Sequence, residues 1–576
     1  MFDLLITGGS VVDGTGAPEF IADIAITDGV IVAIEPSLGD AEAKEIIDAT
    51  GRIITPGFVD VHTHFDGQAT WDELLEPSSP HGVTTVMMGN CGVGFAPVRP
   101  DAHAALIELM EGVEDIPGAA LTEGLTWGWE SFAEYLNVLA RRKWSLDVGA
   151  QLAHGPLRTY VMGASAAEKL EATPEQIAEM ARLAREAMAA GAFGFTTSRT
   201  LGHRALDGTP VPGTYASWDE LSSIGHAVKA GGGSNIEFAA AGLARSDPQQ
   251  QVIDEFEWVG RLAAETGLSA TFILLQCHSD PDRWRHEMEQ ARQWRKDGVM
   301  VTPLVAGRPF GVLWGWDVRH PFVARPTYRS IAHLPLDERL VELRTPEVRI
   351  AILGEADDTD DIAVKRQLGY IRTVLGDCHI ISGAPDYEQP REASIGAVAE
   401  ALGVSLEQVT YDGLVAADDA MLLYALYNYV NMDHSALYEQ LLDPDTVVGL
   451  ADGGAHCAFI CDASIPTFML THWGRDRTRG PRLPLPEIVR RLSSQPADLY
   501  GLSDRGRLAV GLRADLNVIN FDELELQAPF AVDDLPMGGT RLLQKATGYD
   551  ATIVHGRVTR RYGVDTGARP GRLIRS

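Results

Sequence analysis

The stretch Pro56-Gly57-Phe58-Val59-Asp60-Val61-His62-Thr63-His64 decides how the rest of the chain is read. Val59 and Val61 alternate with Asp60 and His62, the period of two of a half-buried strand, so His62 and His64 turn toward one side. Pro56-Gly57 punctuates the entry, and Ile53-Ile54 before it closes an earlier strand. Two imidazoles at a strand end suit a metal, because each ring keeps its second nitrogen for an orienting partner. A chance pairing on a solvated strand end accounts for the two histidines equally well. Residues elsewhere must choose between these readings.

Upstream, short strands are joined by tight turns: Leu4 to Ile6, Ser10 to Val12, Ile21 to Ile26 and Val30 to Ile34, with Asp13-Gly14 and Asp28-Gly29 at the turns. A similar texture returns only in Asp515 to Ile519 and Thr552 to Val558, so the two chain ends are expected to pair in one small β-sandwich. Between them, strands alternate with amphipathic helices, the pattern of a parallel α/β sheet or barrel. Thr173-Pro174-Glu175-Gln176 and Ser217-Trp218-Asp219-Glu220 carry helix-start signals. The candidate parallel strands are Phe58 to His64, Val83 to Gly89, Asp147 to His154, Ala192 to Thr197, Ser234 to Phe238, Ala270 to Gln276, Met300 to Val305 and Val447 to Asp452. Eight such strands would close a barrel. Residues 319–445, helical in texture and clearest at Glu392 to Leu402 and Leu406 to Leu426, read as an insertion before the last strand. The expected organisation is 1–55 and 496–576 for the two parts of the sandwich and 56–495 for the barrel.

A chain of 576 residues exceeds the size of a single core and has room for a companion unit. No apolar run reaches the roughly 20 residues of a membrane helix, and Met1 to Ile6 lack the basic start of a secretory signal, so a cytoplasmic protein without membrane contact is expected. Five cysteines with no regular spacing argue against a disulfide framework. The net charge of −32 excludes nucleic acid as an expected partner, since phosphate binding needs clustered lysine and arginine.

Two further strand ends carry chemistry. Val83 to Met88 runs into Gly89-Asn90-Cys91-Gly92, which leaves a thiol at the mouth of the sheet. Cys91 is either a zinc ligand as its thiolate or a buried structural cysteine. Val447 to Ala451 stops at Asp452-Gly453, so Asp452 is either a metal ligand and general base or an ordinary turn residue. Three strand ends with ligand chemistry in one chain make coincidence a poor account.

These segments resemble the amidohydrolase superfamily and, within it, the D-aminoacylase (N-acyl-D-amino-acid deacylase) family. The resemblance extends through His154-Gly155-Pro156-Leu157-Arg158, Gly191 to Thr197, Asp452 and Pro496 to Leu516. It implies a TIM-like (β/α)8 barrel of the amidohydrolase type with a small β-sandwich, and hydrolysis of a non-peptide amide bond. In that family the cysteine stands where many relatives use a carboxylated lysine. The family takes histidine ligands from the fifth and sixth strands, but here those strands read Ser234-Asn235-Ile236-Glu237-Phe238 and Leu274-Leu275-Gln276-Cys277-His278. Glu237 and His278 are the replacement candidates. His62, His64, Cys91 and Asp452 form the expected site for Zn2+, one ion rather than two, with another divalent metal as the alternative. The arginine that clamps an amino-acid carboxylate in the family is replaced by Cys461-Asp462-Ala463-Ser464. Arg158, Arg199, Arg308 and Arg475 are candidate substitutes, each with a structural role as its alternative.

His154 and His456 are candidates to polarise the scissile carbonyl or orient Asp452, or else structural histidines. Trp127-Gly128-Trp129 and Phe310 to Trp316 either wall an apolar pocket or pack as loops. The expected substrate is a small-molecule amide, most directly an N-acyl-D-amino acid; another linear or cyclic amide or a carbamate is the alternative. A homo-oligomer is compatible with the chain, as is a non-catalytic binding protein that has kept the barrel and lost ligands.

Overall fold

Strands covered on both faces bury every residue, and the parallel strands here do so from Phe58–Asp60 through Val301–Val305, with few exceptions. The structure, a computed structural model, describes residues 1–244 and 247–576. Phe58–Asp60 pairs with Val83–Met88, which pairs with Asp147–Ala150, all parallel. The third strand breaks at Gln151 and resumes as Leu152–Ala153, which begins a second parallel run through Gly194–Ser198, Asn235–Ala239, Ser269–Ile273, Val301–Val305 and Val447–Val448. The eight expected strands are therefore present in chain order, as arcs of three and six strand segments in place of one continuous closed ladder. Past the strand ends, an isolated parallel bridge joins Thr63 to Gly453. The His64 N–H donates to Gly453 O at 2.8 Å and the Asp452 N–H to His62 O at 3.2 Å.

Local signals set the helices between these strands. Thr173 caps Pro174–Ala189 in a capping box with Gln176, at 3.3 and 2.8 Å. Ser217 caps Trp218–Ala230 through the Glu220 N–H, which sets Glu220 inside the first turn, fully buried.

The two chain ends pair as expected, but in one nine-stranded sheet rather than two stacked ladders. Ile53–Pro56 runs antiparallel to Leu516–Ile519, which in turn pairs with Tyr549–Val554. Leu4, Ile6, Ile24, Ile54, Leu516, Val518 and Ile553 share one buried core across that junction. The interval before the last parallel strand is less helical than its texture suggests. Leu406–Ala416 is a helix, but Asp418-Asp419 ends it and Met421–Tyr427 is a strand. It pairs antiparallel with Phe310–Trp314 and His379–Ile381 and, with the surrounding helices, encloses a separate core of Trp314, Trp316, Tyr411 and Leu422. Among the described residues, no helix is long and apolar enough to cross a membrane.

Asp147 fastens the parallel sheet to the C-terminal segment. It is fully buried on the third strand, with Arg505 Nη1 at 2.6 Å from Oδ2, and Arg513 Nη2 at 3.1 Å and the Arg572 N–H at 2.9 Å from Oδ1. Truncation would leave two guanidiniums buried without their shared acceptor. Asp147→Ala is expected to lower the unfolding free energy by about 3–5 kcal/mol in urea titration, and a change below about 1 kcal/mol would contradict this role.

Candidate metal centre

His62 and His64 follow directly on the first parallel strand and are both 1% exposed. Their rings lie edge to face, 5.3 Å apart at 74°. Cys91 enters from the turn after the second strand, where Gly89 (φ 88°) and Gly92 (φ 71°) flank it. A Cβ on Gly89 would lie 2.3 Å from Gln151 O and one on Gly92 2.7 Å from Ser198 N, so the turn closes only with glycine at both places. Cys91 Sγ thereby comes to 3.4 Å from His62 Nε2. Asp452 arrives from beyond the eighth strand, its Oδ1 3.5 Å from His62 Nε2 and 3.8 Å from His64 Nε2. Two imidazole nitrogens, a sulfur and a carboxylate oxygen converge on one point. Cys91 (φ 54°), Leu450 (φ 62°), Asp452 (φ 49°) and His456 (φ 49°) all hold left-handed backbone. Residues with a side chain are strained in that conformation, and these four border the cluster.

A carboxylate stands behind each imidazole. Glu237 Oε1 lies 3.3 Å from His62 Nδ1 and accepts the Cys91 N–H at 3.3 Å, while Oε2 accepts from Gln151 Nε2 at 3.4 Å. Glu114 Oε1 lies 3.5 Å from His64 Nδ1, and its Oε2 lies 3.7 Å from His456 Nε2. Both Nδ1 atoms and Glu114 Oε1 are buried without a hydrogen-bond partner that meets ordinary geometry. Paired acids of this kind fix the tautomer and ring plane of a metal-ligating histidine. Glu114 escaped the sequence reading because it lies at the last turn of the helix His103–Glu114, not at a strand end. The only available signal was an acid closing an otherwise apolar helix face.

Burial dominates the electrostatics. It holds His62 down to about 3 and His64 well below the ordinary histidine range, so both rings are neutral and free to ligate. It pushes Glu237 up to about 8, and drives Asp452, Glu114 and the Cys91 thiol well above their usual values, the neighbouring acids adding to the shift. Such a nest of buried acids is relieved by a cation, and its N, O and S donors suit a divalent ion of the zinc class.

The cluster opens on a cavity of about 240 Å³. Glu114, His203 and His456 line its polar side, and Ile273, Leu275, Phe310, Leu426 and Phe459 its apolar side. His203, a site residue missed in the sequence, is fixed by Ser198 Oγ at 2.9 Å from its Nδ1. Six candidate residues lie elsewhere. Both nitrogens of His154 are taken, Nδ1 by Thr197 Oγ1 and Nε2 by Glu220 Oε1, each at 2.8 Å. Arg158 binds the other oxygen of Glu220 and two backbone carbonyls. Arg199 grips Glu255 through two hydrogen bonds, at 2.8 and 2.6 Å. His278 lies five residues beyond the end of the sixth strand, parallel to Tyr424 at 6.4 Å, while Ile273 and Leu275 take the wall positions. Arg308 is buried against Asp462 and Gln544, and Arg475 is held by Asp476 and three backbone carbonyls. Of the aromatic stretches, Phe310 reaches the cavity, Trp314 and Trp316 enter the insertion core, and Trp127 and Trp129 pack on Phe95 and Tyr135.

A parallel α/β sheet with metal-ligand chemistry at its strand ends is the architecture of a metal-dependent enzyme. The chain belongs to the amidohydrolase family, which it matches over residues 45–560. It is 26% identical over 576 residues to a D-aminoacylase of Alcaligenes xylosoxydans xylosoxydans, covering 100% of this chain and 97% of that one. A D-aminoacylase structure studied for its binuclear metal centre, with one-metal activation and second-metal attenuation, superposes at TM-score 0.65, 21% identity and full coverage of both chains. The N-acyl-D-glutamate deacylase of Bordetella bronchiseptica, complexed with zinc and a phosphonate inhibitor, superposes at TM-score 0.64, 23% identity and full coverage. These likenesses show the barrel-type fold of the amidohydrolases.

A pH dependence follows from Glu237. Its pKa is raised from 4.5 to about 8 in the fold, so the stability it lends is complete below 4.5 and is lost as pH rises through about 8. In chelator-treated protein, the melting temperature is expected to fall further from about pH 5 to about pH 8.5 in the wild type than in Glu237→Gln, whose amide does not titrate. Equal falls would refute the assignment.

Proposed function

We propose that this enzyme hydrolyses the amide bond of an N-acyl-D-amino acid or a related N-acyl compound, with a divalent ion of the zinc class held by His62, His64, Cys91 and Asp452. The convergence of those four donor atoms from three strand ends carries the reading. When bound, the ion supplies Lewis acidity to the carbonyl and lowers the pKa of water toward neutrality. The residues of the chain do the rest. Asp452 accepts the proton of the attacking water and passes it to the leaving nitrogen. Glu237 and Glu114 orient His62 and His64, and Glu237 is the side chain nearest to serving as a further ligand. His456, on the cavity wall, is the histidine placed to donate to the oxyanion. One ion at the His62 and His64 pair is the starting stoichiometry, and the two arcs of sheet are read as one eight-stranded barrel spanning 56–495. Segments 1–55 and 496–576 make the companion unit in this reading.

A second substrate class is favoured by one observation. Among the described residues that line the cavity there is no lysine or arginine, and the four candidate arginines are engaged elsewhere. A linear or cyclic amide or a carbamate without a carboxylate fits such a wall. A panel of N-acyl-D-amino acids, N-acyl-L-amino acids and neutral amides separates the two classes, and failure on every N-acyl-D-amino acid excludes the first.

Asp452→Asn is expected to lower kcat by at least about a hundredfold with the metal content retained. His62→Ala should remove ion and activity together. An active Asp452→Asn enzyme would end the proton-transfer role.

A further inference from the structure

Three residues outside the centre just described meet at the junction of the insertion with the segment after the eighth strand. Glu388 lies in the loop after His379–Ile381, His434 directly precedes the helix Ser435–Leu442, and His472 lies in the π-helical segment Met469–Asp476. We propose that Glu388, His434 and His472 form a second metal site that takes a divalent ion of the zinc class.

The geometry is that of a ligand face. His472 Nε2 is 3.1 Å from Glu388 Oε2 and 3.1 Å from His434 Nδ1, and His434 Nδ1 is 3.6 Å from Glu388 Oε2. The centre of a triangle with those sides lies about 2 Å from each corner, the length of a zinc–imidazole or zinc–carboxylate bond.

Each ligand is oriented by a second partner. His434 Nε2 lies 3.1 Å from Tyr387 O, so that carbonyl keeps the proton on Nε2 and leaves the Nδ1 lone pair aimed at the triangle. Glu388 Oε1 accepts the His434 N–H and Arg477 Nη2, each at 2.9 Å, and Oε2 accepts Arg477 Nε at 2.9 Å. The carboxylate is thus held ionised, with one Oε2 lone pair left for the face. His472 is fixed by stacking on Phe468 at 4.6 Å and 14°. Two imidazoles and one carboxylate, each backed in this way, form a ligand set for a transition ion.

An entry path exists. Glu388 and His472 open on a cavity of about 250 Å³ that also presents Asp386 and Asp476 together with Arg475, Arg477 and Arg479, which are engaged by Asp476, Glu388 and the Glu388 carbonyl, and it shares no lining residue with the strand-end cavity. Since Glu388 and His434 belong to the insertion and His472 to the chain after the eighth strand, a bound ion would tie the two together. The competing arrangement needs no ion: His472 donates from Nε2 to Glu388, and Arg477 supplies all the positive charge.

Metal counting separates the two, independently of the strand-end assignment. The full chain is stripped with chelator, reloaded with excess zinc, desalted and analysed. The wild type is expected to hold one equivalent more than His472→Gln, and His62→Ala/His64→Ala to keep one equivalent, with a rise in its melting temperature on zinc addition. Glu388→Gln, which preserves shape, should lose the same equivalent as His472→Gln, with circular dichroism reporting that both are folded. Equal counts in the wild type and His472→Gln would overturn the proposal, as would a folded double variant that holds no ion.

Discussion

A thiol, two carboxylates and two imidazoles are buried together where the parallel strands end, with the half-buried Asp452 beside them, and desolvation there constrains everything nearby. Cys91, Glu114, Glu237 and Asp452 are each driven toward the protonated form, first by burial and then, for all but Glu237, by one another. A chain gains nothing in stability from such a nest, since an uncompensated buried charge carries a penalty of several kcal/mol. Its persistence makes sense as preparation for a cation. The supporting frame follows the same logic: glycines where Cys91 turns, left-handed backbone at Asp452 and His456, and acids behind both rings.

Holding that cluster requires rigid strands, and rigidity is supplied from a distance. The terminal sheet packs its own core and is joined to the parallel arcs through Asp147, whose partners Arg505, Arg513 and Arg572 come from the far end of the chain. The third strand, which carries Asp147, also carries the break at Gln151, and Gln151 reaches Asn90 Oδ1 at 2.8 Å beside the cysteine turn. A single broken strand therefore links the distant anchor to the thiol.

What was legible in the sequence was whatever obeys a local period. His62 and His64, Cys91 and Asp452 each stand at or just beyond an apolar strand, and each lies in the cluster. Glu114 and His203 reach the same cavity from a helix end and a loop, where no period marks them. The arginines show the opposite failure. A sequence displays a cation but not the acceptors around it, and Arg158 and Arg199 are consumed by Glu220, Glu255 and backbone carbonyls. His154 was misplaced for the same reason, because Glu220 is brought to it by the cap at Ser217. Strand texture at the two ends foretold that they pair; it carries no information on whether paired strands stack in two layers or extend one sheet. Met421–Tyr427 read as helix because its apolar run follows a true helix without a glycine or proline between them.

Charge also bears on how a substrate is admitted. The described wall of the strand-end cavity offers acids, neutral imidazoles and apolar side chains, and no lysine or arginine. Under the proposed function the bound ion is a positive charge that a polar substrate meets at this wall, and in a low-dielectric cleft its field is strong. Attraction and activation would reside in one group. That arrangement favours substrates whose polarity is concentrated at the scissile carbonyl, with an apolar remainder against Ile273, Leu275, Phe310 and Phe459. Under the same proposal the shape of that wall, and not a clamp by Arg158, Arg199, Arg308 or Arg475, discriminates among substrates, because each of those arginines is already satisfied inside the protein.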